Sequence, residues 1–209
     1  HAVWCARHLI GDEPFAVILA DDMVLAKKPC LLQMVEAHKK CGGNVLGVMD
    51  IPREKTSSYG IVDIDDKAKT ADKRLIRAKA LVEKPTPERA PSTLSIIGRY
   101  ILEPDIFDIL NKHTVGTGGE IQLTDAINKM ISKSDVHGFE FEGVRYDCGS
   151  LAGFIAANVA YALERKDTKE KVMKELEAVI ARSSATKQSS IQQKWIASPT
   201  ARNDKRRKK

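Results

Sequence analysis

The chain has 209 residues, 43% of them hydrophobic, and a formal net charge of +6. That length and apolar content suffice to bury one core, and no window supplies the roughly 18 to 20 uninterrupted apolar residues of a membrane span. The charge sits at one end: residues 182–209 hold nine Lys or Arg and one Asp, a net of +8, so residues 1–181 carry −2. A body of that charge offers no basic face to a phosphate backbone, and nucleic acid is not expected as a partner.

The first residues lack the layout of a signal peptide, so a cytoplasmic location is the default expectation. Cys5, Cys30, Cys41 and Cys148 form no C-x-x-C pair and read as free thiols. Phe15 to Asp21 is the first expected strand. Its run FAVILA is apolar on both faces, the pattern of a central parallel strand, and it ends in Asp21-Asp22. Ligands of open α/β sheets bind beyond the carboxyl ends of strands, which makes this acidic pair a candidate metal site; a plain turn uses the same residues. Next, CLLQMVEAHKKCGG spaces Leu31, Met34, Val35 and His38 as a helix and stops at Gly42-Gly43.

Asn44 to Ile51 and Tyr59 to Ile64 are further strands, residues 64–80 read as a charged surface excursion, and Ala80 to Glu83 is a short strand. It leads into Glu83-Lys84-Pro85, where Pro85 biases Lys84 toward extended geometry. Successive strand side chains point to opposite faces, so Glu83 and Lys84 share a pocket only if the chain bends there. Taken alone the motif fits a solvated strand end; a carboxylate for hydroxyls beside an ammonium for a phosphate also suits a sugar phosphate.

Leu94 to Leu102 is a long strand, followed by helical patterns at PDIFDILNKH and GEIQLTDAINKMISK. Gly118-Gly119 before the second of these reads as a flexible lead-in or as a close backbone approach to a ligand. Gly138 to Tyr146 is the last strand and delivers Asp147, with Ser150 placed to cap the following helix. Asp147 is a candidate second carboxylate for a cation at Asp21, because Mg²⁺ takes one or two carboxylates plus substrate phosphates. Helical patterns at LAGFIAANVAYALERK and TKEKVMKELEAVIAR complete the ordered chain. Strands alternating with helices define an α/β layered sheet. The expected partition is a partial domain over 1–166, a helix over 167–181 and a disordered basic tail over 182–209.

DEPFAVILADD, SSYGIVD, VEKPTPERAPS, IIGRYIL, GTGGEIQLTDAI and YDCGSLAGF occur in that order between His1 and about Arg165. Together they resemble the bacterial UTP:glucose-1-phosphate uridylyltransferases. The resemblance implies a Rossmann-like, GT-A-like nucleotidyltransferase sheet that converts UTP and glucose 1-phosphate to UDP-glucose and pyrophosphate, with Mg²⁺ as cofactor, in a homo-oligomer. It implies that Asp21 and Asp147 hold the metal, that Glu83 and the backbone at Gly60 hold glucose hydroxyls, and that Lys84 binds the sugar phosphate. Asp21 and Lys84 are then the catalytic candidates, and Asp22 is left as a turn residue.

Two departures accompany the resemblance. Ala20 stands where the family has Pro, and the family's opening strand, its G-x-G-T-R loop and a downstream lysine have no counterpart here. The match therefore reads as an N-terminally truncated domain, expected to show weak or no uridylyl transfer and an exposed sheet edge prone to association. A nucleotidyltransferase for another base or sugar, such as a thymidylyltransferase, and a non-catalytic sugar-phosphate-binding remnant are the alternatives.

Overall fold

A computed structural model describes residues 1–70, 72–112 and 121–197, with side chains through residue 183. Gly118, Gly119 and Glu120 lie outside the described residues. The chain divides into two units, His1–Phe154 and Ile155–Lys209.

In the first unit, two short helices, α1 (Ala2–Cys5) and α2 (Arg7–Ile10), precede strand β1 (Phe15–Ile18). Strand β2 (Asp22–Leu25), helix α3 (Cys30–Cys41) and strand β3 (Asn44–Asp50) follow. A 3₁₀ turn over Arg53–Ser58 leads to β4 (Gly60–Ile64), β5 (Leu75–Glu83) and β6 (Leu94–Leu102). Helices α4 (Ile106–Leu110) and α5 (Leu123–Met130), then β7 (Val136–Glu140) and β8 (Val144–Asp147), lead into α6 (Leu151–Glu164).

Six strands form one sheet in the order β1-β6-β3-β7-β5-β4, in which only the β3–β7 pairing is parallel. Strand β6, LSIIGRYIL, is buried at every position, as a strand covered on both faces must be. Alternation along neighbouring strands splits the core into two layers. Leu46, Val48, Tyr100 and Leu102 pack with Ile106, Ile127 and Met130 of α4 and α5. Val45, Ile101 and Phe139 pack on the other layer with Met34 and Ala37 of α3. Helices thus cover both faces of the sheet.

Helix α3 ends where expected. Gly42 adopts φ 64° and its N–H donates to the His38 carbonyl at 2.7 Å, while His38, Lys39 and Lys40 occupy the last turn, where the exposed carbonyls favour positive charge. Its buried stripe is Cys30, Gln33, Met34 and Ala37; Leu31 and Val35 pack only partly. Burial pushes the Cys30 thiol up to about 11. All four cysteines are free.

Three expectations about strands are corrected. The first strand is not central or parallel: β1 is an edge strand, antiparallel to β6, and only alternate residues face the core. Phe15 stacks on Phe107 with ring centroids 5.0 Å apart, whereas Ile18 is 52% exposed. The surface excursion over 64–80 contains the first half of β5, which begins at Leu75. Finally, the strand expected over 138–146 is two strands, broken at Gly143, whose φ of 147° is a backbone conformation few other residues tolerate.

In the second unit α7 runs from Lys169 to Ala197, past residue 181. Thr168 Oγ1 donates to the Ala162 carbonyl at 2.7 Å, and Arg165 pairs with Asp167 at 2.7 Å across the connection from α6. No helix among the described residues is long and apolar enough to cross a membrane.

The two faces of α3 give a direct test. Met34→Ala, at a fully buried position, should lower unfolding free energy by about 2 to 5 kcal/mol. Leu32→Ala, at a position 46% exposed, should leave it nearly unchanged in urea titrations of the 209-residue chain. Equal losses at both sites would overturn the assignment of the buried face.

Candidate active site

The acidic residues are placed by a small two-stranded ladder. Asp22 N–H donates to the Leu19 carbonyl at 3.3 Å, which closes a turn after β1, and Leu19 N–H donates to Gly98 O at 2.9 Å. Strand β2 then pairs antiparallel with β8, with Asp22 opposite Asp147. Cys148 N–H donates to the Asp21 carbonyl at 2.7 Å, extending the contact by one step. A Cβ placed on Gly149 would lie 3.1 Å from Asp147 Oδ1 and 3.7 Å from Asp21 Oδ2, so the two carboxylates flank one glycine. Asp147 Oδ1 also accepts the Gly149 N–H at 3.0 Å, and Ser150 Oγ accepts the Gly153 N–H at 3.1 Å, the expected helix cap. The structure thus brings Asp21 and Asp147 together from distant parts of the sequence.

Asp22 is not a simple turn residue. It is 7% exposed, its Oδ2 accepts the Gly98 N–H at 2.9 Å, and its Oδ1 accepts from Arg145 Nε. Arg145 also donates from one terminal nitrogen to the Tyr59 hydroxyl at 2.9 Å, and the other lies 3.7 Å from Asp147 Oδ2. Burial works to lower the Arg145 pKa, but its hydrogen bonds to Asp22 and Tyr59 outweigh burial and hold it above the ordinary guanidinium range. Arg99 clamps the same turn by donating to the carbonyls of Leu19 at 3.0 Å, Gly98 at 2.8 Å, and Asp22. Glycine is required at 98, because a Cβ there would come within 2.7 Å of Leu19 Cβ and 2.9 Å of Asp22 Oδ2.

The hexose candidates meet beside this network. Gly60 and Glu83 are register partners in the β4–β5 ladder. A Cβ on Gly60 would lie 3.1 Å from Thr124 Oγ1 and 3.2 Å from Glu83 Oε2, so its absence leaves room beside the carboxylate. Both residues line a cleft of about 260 Å³ with Asp22, Tyr59, Tyr100 and Thr124. Lys84 is not extended, as Pro85 suggested. It is the non-glycine residue with positive φ among the described residues, at 47°, and its N–H donates to the Tyr59 carbonyl at 3.0 Å. That bend places Lys84 Nζ 3.8 Å from Glu83 Oε1. Burial, then the Glu83 and Asp22 carboxylates, push the Tyr100 phenol above its ordinary value, so it remains an O–H donor.

Tyr59, Arg99 and Arg145 were not singled out from the sequence, and Asp22 was assigned only to the turn. One signal was available for Arg145: two residues before Asp147 on a strand, it shares that residue's face. Nothing local identifies the partner of Asp22.

A central mixed sheet with a paired-carboxylate edge beside a polar cleft is an arrangement suited to phosphoryl chemistry. A sequence profile of the nucleotidyl transferase family matches residues 1–164, and the chain belongs to that family. It is 53% identical over 150 residues to a UTP–glucose-1-phosphate uridylyltransferase of Komagataeibacter xylinus, covering 72% of this chain and 51% of that protein. A Bacillus subtilis (strain 168) protein of the same name is 44% identical over 180 residues, covering 86% of this chain and 60% of that one. Among solved structures, a UDP-glucose pyrophosphorylase complexed with UDP-glucose superposes with a TM-score of 0.72 at 40% identity, over 79% of this chain and 62% of that one. A UTP-bound UGPase from Acinetobacter baumannii gives 0.73 at 31% identity, over 84% and 60%. The chain therefore spans about half to three fifths of the length of these relatives.

The buried pair and its exposed neighbour should respond differently to neutralisation. Arg145→Gln should cost about 3 to 5 kcal/mol of stability by stranding the Asp22 carboxylate, and adding Asp22→Asn should restore part of that loss. Asp21→Asn should leave the urea midpoint unchanged. Strict additivity of the Asp22 and Arg145 substitutions would refute the pair as the centre of the turn.

Proposed function

We propose that the chain carries the sugar-phosphate and metal side of a uridylyl transfer site, in which UTP and glucose 1-phosphate give UDP-glucose and pyrophosphate. The observation that carries this reading is the meeting of Asp21 and Asp147 across Gly149, near a cleft lined by Asp22, Gly60 and Glu83, with Lys84 Nζ 3.8 Å from Glu83 Oε1. The names of the relatives supply the base and the sugar.

In this reading a phosphate oxygen of glucose 1-phosphate forms a bond to the α-phosphorus of UTP. The bond from that phosphorus to the bridging oxygen breaks, and pyrophosphate leaves with the electron pair. No protein nucleophile is needed; positioning and charge neutralisation supply the rate. Lys84, whose side chain is half exposed beside Glu83, neutralises and orients the attacking phosphate. Glu83 accepts hydrogen bonds from hexose hydroxyls, and the missing side chain at Gly60 lets the sugar approach the backbone.

The two facing carboxylates are hard oxygen donors in a number that suits Mg²⁺, which completes its shell with water and substrate phosphates. Asp21 and Asp147 would hold it, and when bound it offsets the charge of two anionic substrates. Arg145 lies beside Asp147 and restrains that carboxylate from one side. Homo-oligomeric assembly and a cytoplasmic location belong to the same proposal and rest on the family resemblance alone.

Calorimetry on the 209-residue chain tests the assignment. Lys84→Ala should weaken glucose 1-phosphate binding by roughly tenfold to a hundredfold, the worth of one or two charge-assisted hydrogen bonds, while leaving glucose binding unchanged. Glu83→Gln should weaken both ligands, and Asp147→Asn should remove the dependence of sugar-phosphate binding on Mg²⁺. Unaltered glucose 1-phosphate affinity in Lys84→Ala would sink the proposal.

A further inference from the structure

Away from the cleft lies a second polar cavity of about 210 Å³, lined by Cys41, Lys69, Thr70, Arg77, Asp135 and His137. Strand β5 ties the two places together and separates them: Arg77 and Glu83 stand on it roughly 20 Å apart at about 3.3 Å per residue. Nothing in the proposed uridylyl transfer uses these residues.

The cavity contains an unmet demand. His137 is 6% exposed, and its Nδ1 is the one buried side-chain nitrogen or oxygen without a hydrogen-bond partner among the described residues. A buried polar atom in that state is unfavourable unless something from outside the chain satisfies it. Arg77 sits directly opposite His137 in the β5–β7 ladder, so the two side chains share a face of the sheet. Arg77 is ion-paired with Asp135, which cancels that carboxylate's charge and leaves other guanidinium N–H groups to donate. Lys69 makes no ion pair among the described residues, so the lining carries one uncompensated positive charge.

The chemistry of the lining narrows the ligand. Thr70 Oγ1 already donates to the Asp72 carbonyl at 3.0 Å. Burial, then the Asp135 charge, push the Cys41 thiol up and keep it protonated. No group of three His, Cys, Asp or Glu residues among the described residues could hold a metal ion. Burial, then Arg77, push the His137 pKa down, so its ring is neutral and can present Nδ1–H as a donor. What converges is an ammonium, a guanidinium and an imidazole N–H, a donor set that matches an oxyanion.

We propose that this cavity is a second binding site, separate from the cleft, for a phosphate-class oxyanion held by Lys69, Arg77 and His137. The ion can be free phosphate or the phosphate group of a nucleotide, since both present the same oxygens.

The test follows the His137 ring, a probe inside this cavity, by NMR in a Lys84→Ala background, so that phosphate binding at the cleft is weakened. The ring signals are identified by their loss in His137→Leu. Inorganic phosphate at low ionic strength should shift them saturably, with a Kd on the order of 1 mM. Lys69→Ala, on an exposed loop residue, should weaken that binding by roughly tenfold. Uridine 5′-monophosphate titrated in parallel separates the sources: tighter binding than phosphate identifies a nucleotide, equal or weaker binding the free ion. If His137→Leu does not fold, the Lys69→Ala comparison still decides. Ring signals unmoved up to about 10 mM phosphate would mean that water alone occupies the cavity, and a shift indifferent to Lys69→Ala would overturn the three-residue site.

Discussion

Asp22 and Arg145 form an ion pair with side chains only 10% and 12% exposed, and the candidate active site is arranged around it. Burying two charges is unfavourable unless their remaining lone pairs and protons are also satisfied. Here they are. The second oxygen of Asp22 takes the Gly98 amide, and the outer nitrogens of Arg145 reach the Tyr59 hydroxyl and the Asp147 carboxylate. Four stretches far apart in sequence, around residues 22, 59, 98 and 145, are thereby fixed to one centre.

The connection continues from Tyr59 to the bend at Lys84. Arg145 holds the Tyr59 hydroxyl, and the Tyr59 carbonyl accepts the Lys84 amide. Lys84 sits at φ 47°, a conformation that costs a residue with a side chain about 1 to 3 kcal/mol and persists only where the surroundings enforce it. The enforcement is visible on both sides of the bend, in the Lys84 amide bond and in Thr56 Oγ1, which is fully buried and donates to the Pro85 carbonyl at 3.3 Å. The strain has a structural product: without it, Glu83 and Lys84 would point to opposite faces of β5.

Much of this was legible in local patterns and some was not. Strand β6, helix α3 with its Gly42 stop, the Ser150 cap and the approach of Asp147 to Asp21 each follow from periodicity or from a residue's own chemistry. The errors share a different origin. FAVI is apolar on both faces, yet the number of neighbours a strand acquires is decided by the rest of the sheet, and β1 has one. The first residues of β5 carry Arg77 and Lys79, charges that read as surface loop until the ladder with β7 and the Asp63 and Asp135 partners are known. Asp22 looked like a turn residue because its partners lie at positions 98 and 145, beyond the reach of any local rule.

The contrast between Asp21 and Asp22 shows how little sequence separates an exposed carboxylate from a buried, structural one. Strand β2 begins at Asp22, so the turn before it leaves Asp21 exposed beside Gly149 while the first strand residue is directed onto β6. A glycine at 98 is what permits the second of these placements, since any side chain there would occupy the space of the Asp22 carboxylate. Exposure leaves the Asp21 carboxylate open to solvent, whereas Asp22 is wholly engaged by protein donors. The adjacent residues therefore do coupled but different work: the buried carboxylate fixes the turn, and the fixed turn holds the exposed carboxylate facing Asp147.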